Sequence, residues 1–93
     1  CILGRTEDLL RLDDLAEKWR SFGWHAVEVD GHDIAALMDA FALIGKTDGK
    51  PLAIVANTVK GKGISFMENR HQWHNKMPNP EQVAQARADL GLA

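Results

Sequence analysis

Residues 52–56 read Leu-Ala-Ile-Val-Ala, an apolar run without polar alternation that Thr58 and Val59 extend. A strand with one wet face alternates. A strand covered on both faces does not, and that kind of burial belongs to parallel sheets with helices on either side. The preceding text agrees with this reading. Trp24 to Asp30 is short and β-branched, with apolar Trp24, Ala26, Val27 and Val29 among His25 and Glu28, and reads as a strand. Between the two runs, Ile34, Leu37, Met38, Phe41 and Ile44 recur at helical spacing, which predicts an amphipathic helix of about three turns. Strand, helix, strand implies a right-handed crossover and a parallel pair. Two strands alone leave the edges of such a sheet open. The run at 52–56 therefore expects neighbouring strands from segments not present here or from another chain.

The flanking text completes a helix-strand-helix-strand-loop-helix order, a partial three-layer α/β fold. Leu12, Leu15, Ala16 and Trp19 share one helical face, with Phe22 near the end, Asp13 as the expected N-cap and Gly23 as the stop. Residues 1–11 show no period, and Arg5-Thr6-Glu7-Asp8 reads as loop, as does the polar stretch Gly45 to Lys50. Residues 60–79 form a long loop, a feature that compact domains reserve for functional or mobile segments. Asn79-Pro80-Glu81-Gln82 opens a last helix: Asn79 caps, Pro80 fits the first helical position, and Gln82 returns the bond.

The 93 residues suit one domain, residues 1–93, and the 45% apolar and 26% charged content is ordinary for a globular chain. A net charge of −2 with interspersed signs offers no electrostatic case for nucleic acid or an anionic membrane. No apolar run reaches the length needed to span a bilayer and no targeting pattern is visible, so a cytoplasmic location is the default expectation. The single cysteine, Cys1, excludes an internal disulfide framework. Cys rather than Met at position 1 leads us to expect a processed piece or a fragment of something longer.

Three groups of residues have chemistry to offer, all expected at the carboxyl edge of the sheet, where such folds place ligands. Asp30-Gly31-His32-Asp33 closes a strand and opens a helix whose amino terminus attracts anions; the plain alternative is a tight turn with Asp30 or Asp33 as cap. Lys60-Gly61-Lys62-Gly63 offers close backbone approach and cations for a phosphate, though it is no Walker loop, and charged glycine turns after strands are common. His71 and His74 are candidates for hydrogen bonding and proton transfer. Two histidines without further ligands make a weak metal site, and a pair packed against Trp73 is the plain reading. Phe66, Met67 and Trp73 are expected to pin the loop.

Four stretches in order, Gly-Arg-Thr-Glu-Asp at 4–8, residues 15–33, residues 49–69 and Trp73-His74-Asn75-Lys76-Met77-Pro78-Asn79, resemble the transketolase family, most of all the amino-terminal subunit of split, two-chain transketolases. The resemblance runs from Gly4 to about Leu90. It implies the second half of a thiamine diphosphate-binding domain. The first half, with its Gly-Asp-Gly motif and paired asparagines supplying hard oxygen ligands for Mg²⁺ and diphosphate, would precede Cys1, so no metal ligand is expected here. The activity implied is transfer of a two-carbon ketol unit between sugar phosphates, with thiamine diphosphate performing the difficult step. A carboxy-terminal transketolase subunit or other domains, in a dimeric assembly, would complete the site, and the isolated chain would be inactive.

By resemblance, His71 of His71-Gln72-Trp73-His74 reaches cofactor and substrate, with His74 the alternative because split-subunit relatives often keep only Trp-His. Asn75 stands where the family has glycine, and Ile2-Leu3-Gly4 lacks the family's aspartate. Deoxyxylulose-phosphate synthase shares several of these features; Gly23-Trp24 and Ser65-Phe66-Met67-Glu68-Asn69 favour transketolase. Rival readings are a non-catalytic interaction module and a phosphate or nucleotide binder using Lys60 and Lys62.

Overall fold

The computed structural model describes residues 2–92, so Cys1 lies outside the described residues. The chain divides into two compact units: Leu12–Thr58 is one, and the residues before and after it form the other.

Leu12–Thr58 is the layered unit. Helix α2 (Leu15–Ser21), strand β1 (His25–Asp30), helix α3 (Ile34–Phe41) and strand β2 (Leu52–Asn57) follow in order. The strands pair in parallel, from His25 opposite Leu52 to Asp30 opposite Asn57, as the strand–helix–strand order predicts. Side chains on a strand alternate between faces. Ala26, Ala53 and Val55 therefore share one face, where they meet Ala16 of α2 and Trp24. Val27 and Val29 share the other and line a shallow groove with Ala36, Ala40 and Leu43 of α3 and its following turn. Helix, sheet, helix is the expected three-layer arrangement, in partial form. Trp19 and Trp24 pack at 4.6 Å between ring centroids beside the α2 layer.

The burial is shallower than the apolar run at 52–56 predicts. Among the described residues the buried apolar side chains are Ala16, Ala26, Ala40 and Ala53, and no large side chain is fully enclosed. Leu52, Ile54 and Val55 are half-buried. Two strands give two thin layers of contact and nothing larger. The stripe expected on α3 is not the face that lies toward the sheet: Ile34, Met38, Phe41 and Ile44 remain 69%, 66%, 55% and 68% exposed and Leu37 is half-buried, while Ala36, Ala40 and Leu43 line the groove with Val27 and Val29.

Several boundaries differ from expectation. Asp14, not Asp13, caps α2, accepting the Glu17 amide at 3.0 Å. Asp13 has φ +53°, outside the extended conformation an N-cap needs. Gly23, with φ +86°, follows the helix end as expected. Helix α3 stops at Phe41, short of Ile44.

The second unit opens with α1 (Thr6–Leu9), a single turn where loop is expected. It has no side-chain cap and is closed by the Leu10 amide on the Thr6 carbonyl, so no terminal signal marks it in the text. After a chain of turns come a 3₁₀ turn, His71–His74, and helix α4 (Pro80–Asp89). The α4 start is as expected: Asn79 Oδ1 accepts the Gln82 amide at 2.8 Å and Gln82 Oε1 accepts the Asn79 amide at 2.9 Å. Two otherwise orphaned amides are satisfied, an arrangement worth about 1 kcal/mol.

Candidate functional site

The residues expected to carry chemistry fall into the two units. Asp30 to Asp33 belongs to the layered unit, at the carboxyl end of the sheet. Asp30 Oδ1 accepts the His32 amide at 2.9 Å and shapes the turn, while Asp33 Oδ1 accepts the Ala36 amide at 3.1 Å and caps α3. Gly31 follows β1 directly and lies tight against the end of β2: its amide donates to the Asn57 carbonyl at 2.7 Å. A Cβ there would lie 2.5 Å from Thr58 Cγ2 and 3.1 Å from the Asn57 oxygen. This motif is the tight turn of the plain reading, made of Asp for capping and Gly for contact.

Lys60-Gly61-Lys62-Gly63 belongs to the other unit, in a loop that closes on itself. The Asn69 amide donates to the Lys60 carbonyl at 2.9 Å, and Glu68 Oε1 accepts the Gly63 amide at 3.0 Å. Gly61 has φ +72°, and a Cβ on it would lie 2.7 Å from the backbone carbon and oxygen of Met67. The close approach expected to serve a phosphate is taken by the chain's own backbone. The Gly63 amide is likewise directed at a carboxylate, which disfavours an anion at that point. Lys60 is half-buried and Lys62 exposed.

His71 and His74 sit at the two ends of the 3₁₀ turn. Residues three apart on such a turn eclipse one another, so both imidazoles rise from the same side. His71 is half-buried and His74 exposed. Between them, Trp73 packs on Phe66 with ring centroids 5.2 Å apart, and Lys76 Nζ lies 4.9 Å from the Trp73 ring. Phe66 and Trp73, expected to pin the loop to the body of the domain, pack on each other within it, and the histidines flank this contact in sequence. Imidazoles here can donate or accept hydrogen bonds and transfer a proton. Among the described residues no three His, Cys, Asp or Glu side chains converge on a point where a metal ion would sit.

One polar centre has no counterpart in the sequence reading. Asp89, at the end of α4, accepts the Ser65 amide at 2.8 Å, the Ser65 hydroxyl at 2.6 Å and Gln85 Nε2 at 2.7 Å. The Ser65 hydroxyl, then the Ser65 amide, then Gln85 hold its carboxyl below the ordinary aspartate range. A depressed folded value means the contribution to stability is present above the unfolded value and is lost as pH falls through the folded one. Acid titration should therefore release Ser65 from α4 below the ordinary aspartate range. The Ser65 amide chemical shift checks this; a shift that follows the titration of an unperturbed aspartate would contradict it.

Comparison with known proteins gives this geometry a family. Residues 1–93 match the family described as transketolase, thiamine diphosphate binding domain. One chain of the split apulose-4-phosphate transketolase of Actinobacillus succinogenes is 42% identical over 89 residues, 96% of this chain and 32% of that protein. Human transketolase is 40% identical over 75 residues, 81% of this chain and 11% of that protein. A crystal structure of a transketolase variant from Pichia stipitis in complex with fructose 6-phosphate superposes with TM-score 0.82 at 29% identity, covering 99% of this chain and 14% of that one. This chain spans about a third of the length of the split-subunit relatives. Among the described residues no helix is long and apolar enough to cross a membrane. Matched along residues 1–93, the chain belongs to the transketolase thiamine diphosphate binding domain family.

Proposed function

We propose that this chain is part of a transketolase-type transferase of the cytoplasm. In this reading the assembly uses thiamine diphosphate with Mg²⁺ to move a two-carbon ketol unit between sugar phosphates. Residues 1–93 form a part of the cofactor-binding domain, and His71 and His74 stand at the substrate mouth. The observation that carries this reading is the family match along residues 1–93. Several relatives are themselves named as single subunits of a transketolase, which supports a partner chain. The relative from a Clostridium species, named for a 6-deoxy-6-sulfo-D-fructose transketolase, supports a sugar substrate.

The described residues do not by themselves fit a metal-bound diphosphate. Hard oxygen ligands are needed in a cluster, and among the described residues no three His, Cys, Asp or Glu side chains converge on one point. The glycine approach at Gly61 is filled by Met67. When bound in the assembly, the cofactor supplies the electron sink for ketol transfer. This chain's contribution is the histidine turn, which offers hydrogen bonds and proton transfer to a sugar. The exposed Ile34, Met38, Phe41 and Ile44 support burial of α3 against further protein.

Titrating the chain with thiamine diphosphate and Mg²⁺, alone and with its partner segments, tests the reading. The expected result is saturable binding only in the assembly, together with ketose-to-aldose transfer. Saturable micromolar binding by the chain alone would show a complete pocket and overturn the division of the site. An assembly that forms and binds no cofactor would favour the rival, a non-catalytic docking module.

A further inference from the structure

An aspartate is a poor choice for the last turn of a helix. Its charge opposes the negative end of the helix dipole, and its helix propensity is low. Asp89 nevertheless ends α4, and its carboxylate faces the loop: both Ser65 donors reach Asp89 Oδ2, and Gln85 reaches Oδ1. The same helix end touches the loop again, since a Cβ on Gly63 would lie 3.2 Å from Leu90 Cδ2. Ser65 is followed directly by Phe66, whose ring packs on Trp73. Trp73 lies between His71 and His74 in one short turn.

We infer that Asp89 is a positioning residue: by fixing Ser65 it sets the Phe66 ring against Trp73, and so sets the orientation of the His71–His74 turn. The inference rests on the proposed role of that turn for its catalytic meaning, but not for its geometry. The carboxylate acts on the backbone amide and the hydroxyl of one residue, a two-point grip that fixes direction as well as distance. Gln85 bonds the second oxygen from within α4, a contact that does not reach the loop. Helix α4 then serves as a strut for the loop, which explains a charge that the helix itself does not favour.

The test is nuclear magnetic resonance on the full chain with Asp89→Ala, Ser65→Ala and Gln85→Ala. Asp89→Ala should speed hydrogen exchange at the Ser65 amide by about tenfold, shift the Trp73 indole N–H signal, and shift the ring signals of His71 and His74. Ser65→Ala, which removes only the hydroxyl donor, should move the same signals by less. Gln85→Ala, which removes only a bond within α4, should leave the Trp73 and histidine signals close to those of the unaltered chain. If Asp89→Ala does not fold, Ser65→Ala carries the measurement. Two results would overturn the inference: Trp73 and histidine signals unmoved by both Asp89→Ala and Ser65→Ala, or moved as far by Gln85→Ala as by Asp89→Ala. None of these signals needs cofactor, so a failure of thiamine diphosphate binding would count against the proposed function and leave this result standing.

Discussion

Alanine at position 61 should destabilise the unit that carries the histidine turn by about 2–5 kcal/mol, and chemical denaturation should show it as a lowered midpoint. Two costs add. A left-handed backbone is unfavourable for any residue with a Cβ, by about 1–2 kcal/mol. The new atom also meets the Met67 backbone at 2.7 Å, which cannot turn aside as the end of a flexible side chain would. Overpacking of that sort costs about 1–3 kcal/mol. Gly49 separates the two terms: its φ is +78°, yet nothing lies within 4 Å of an added Cβ. Gly49→Ala should show only the backbone cost. Equal losses at positions 49 and 61 would mean that Met67 gives way freely and that the loop is not closed as described.

Removal of the imidazole at position 71 should be the most damaging single change to activity in the assembled enzyme proposed above. General acid–base groups contribute about 10²–10⁴-fold, and His71→Ala should lower turnover by an amount in that range. His71→Gln retains hydrogen bonding but not proton transfer, so partial recovery would assign the histidine to binding and none would assign it to proton movement. His74→Ala should have the smaller effect, because His74 is exposed whereas His71 is half-buried. Steady-state kinetics with a ketose donor and an aldose acceptor decides the matter. Near-normal turnover for both alanine variants would remove the turn from the reaction.

What could be read from the amino-acid order was whatever rests on local signals. The capping pair Asn79 and Gln82 lies within one turn, so its reciprocal bonds were readable before any packing was known. The strands at 25–30 and 52–57 announce themselves by β-branched and apolar content, and a helix between them leaves parallel pairing as the natural outcome. The short α1 was not readable, since a single uncapped turn leaves no period. At the α2 start, adjacent aspartates look alike in sequence, and only the φ of Asp13 tells them apart. Periodicity picked out Ile34, Leu37, Met38, Phe41 and Ile44 on α3, but the face toward the sheet is the neighbouring small one of Ala36 and Ala40, and the large Ile34 and Met38 lie outward. In the candidate site the aromatic residues of the loop were readable as packing residues, and Phe66 does meet Trp73. Its support was not: Ser65 and Asp89 stand 24 positions apart and meet only through the fold. Nor does a Gly-Lys-Gly text reveal whether a ligand or the chain itself fills the space over Gly61.

The alanine interior has a thermal consequence. Ala16, Ala26 and Ala53 bring α2 and the sheet together through methyl groups, which surrender no rotamer freedom on burial but withdraw little hydrocarbon from water. The heat-capacity increment on unfolding scales with the apolar surface newly wetted, so the layered unit should have a small one for its size. A small increment flattens the curve of free energy against temperature. Such a unit gains little from warming toward a stability maximum and loses little on chilling, so its tolerance of cold should exceed that of a domain of equal length built around leucine and phenylalanine.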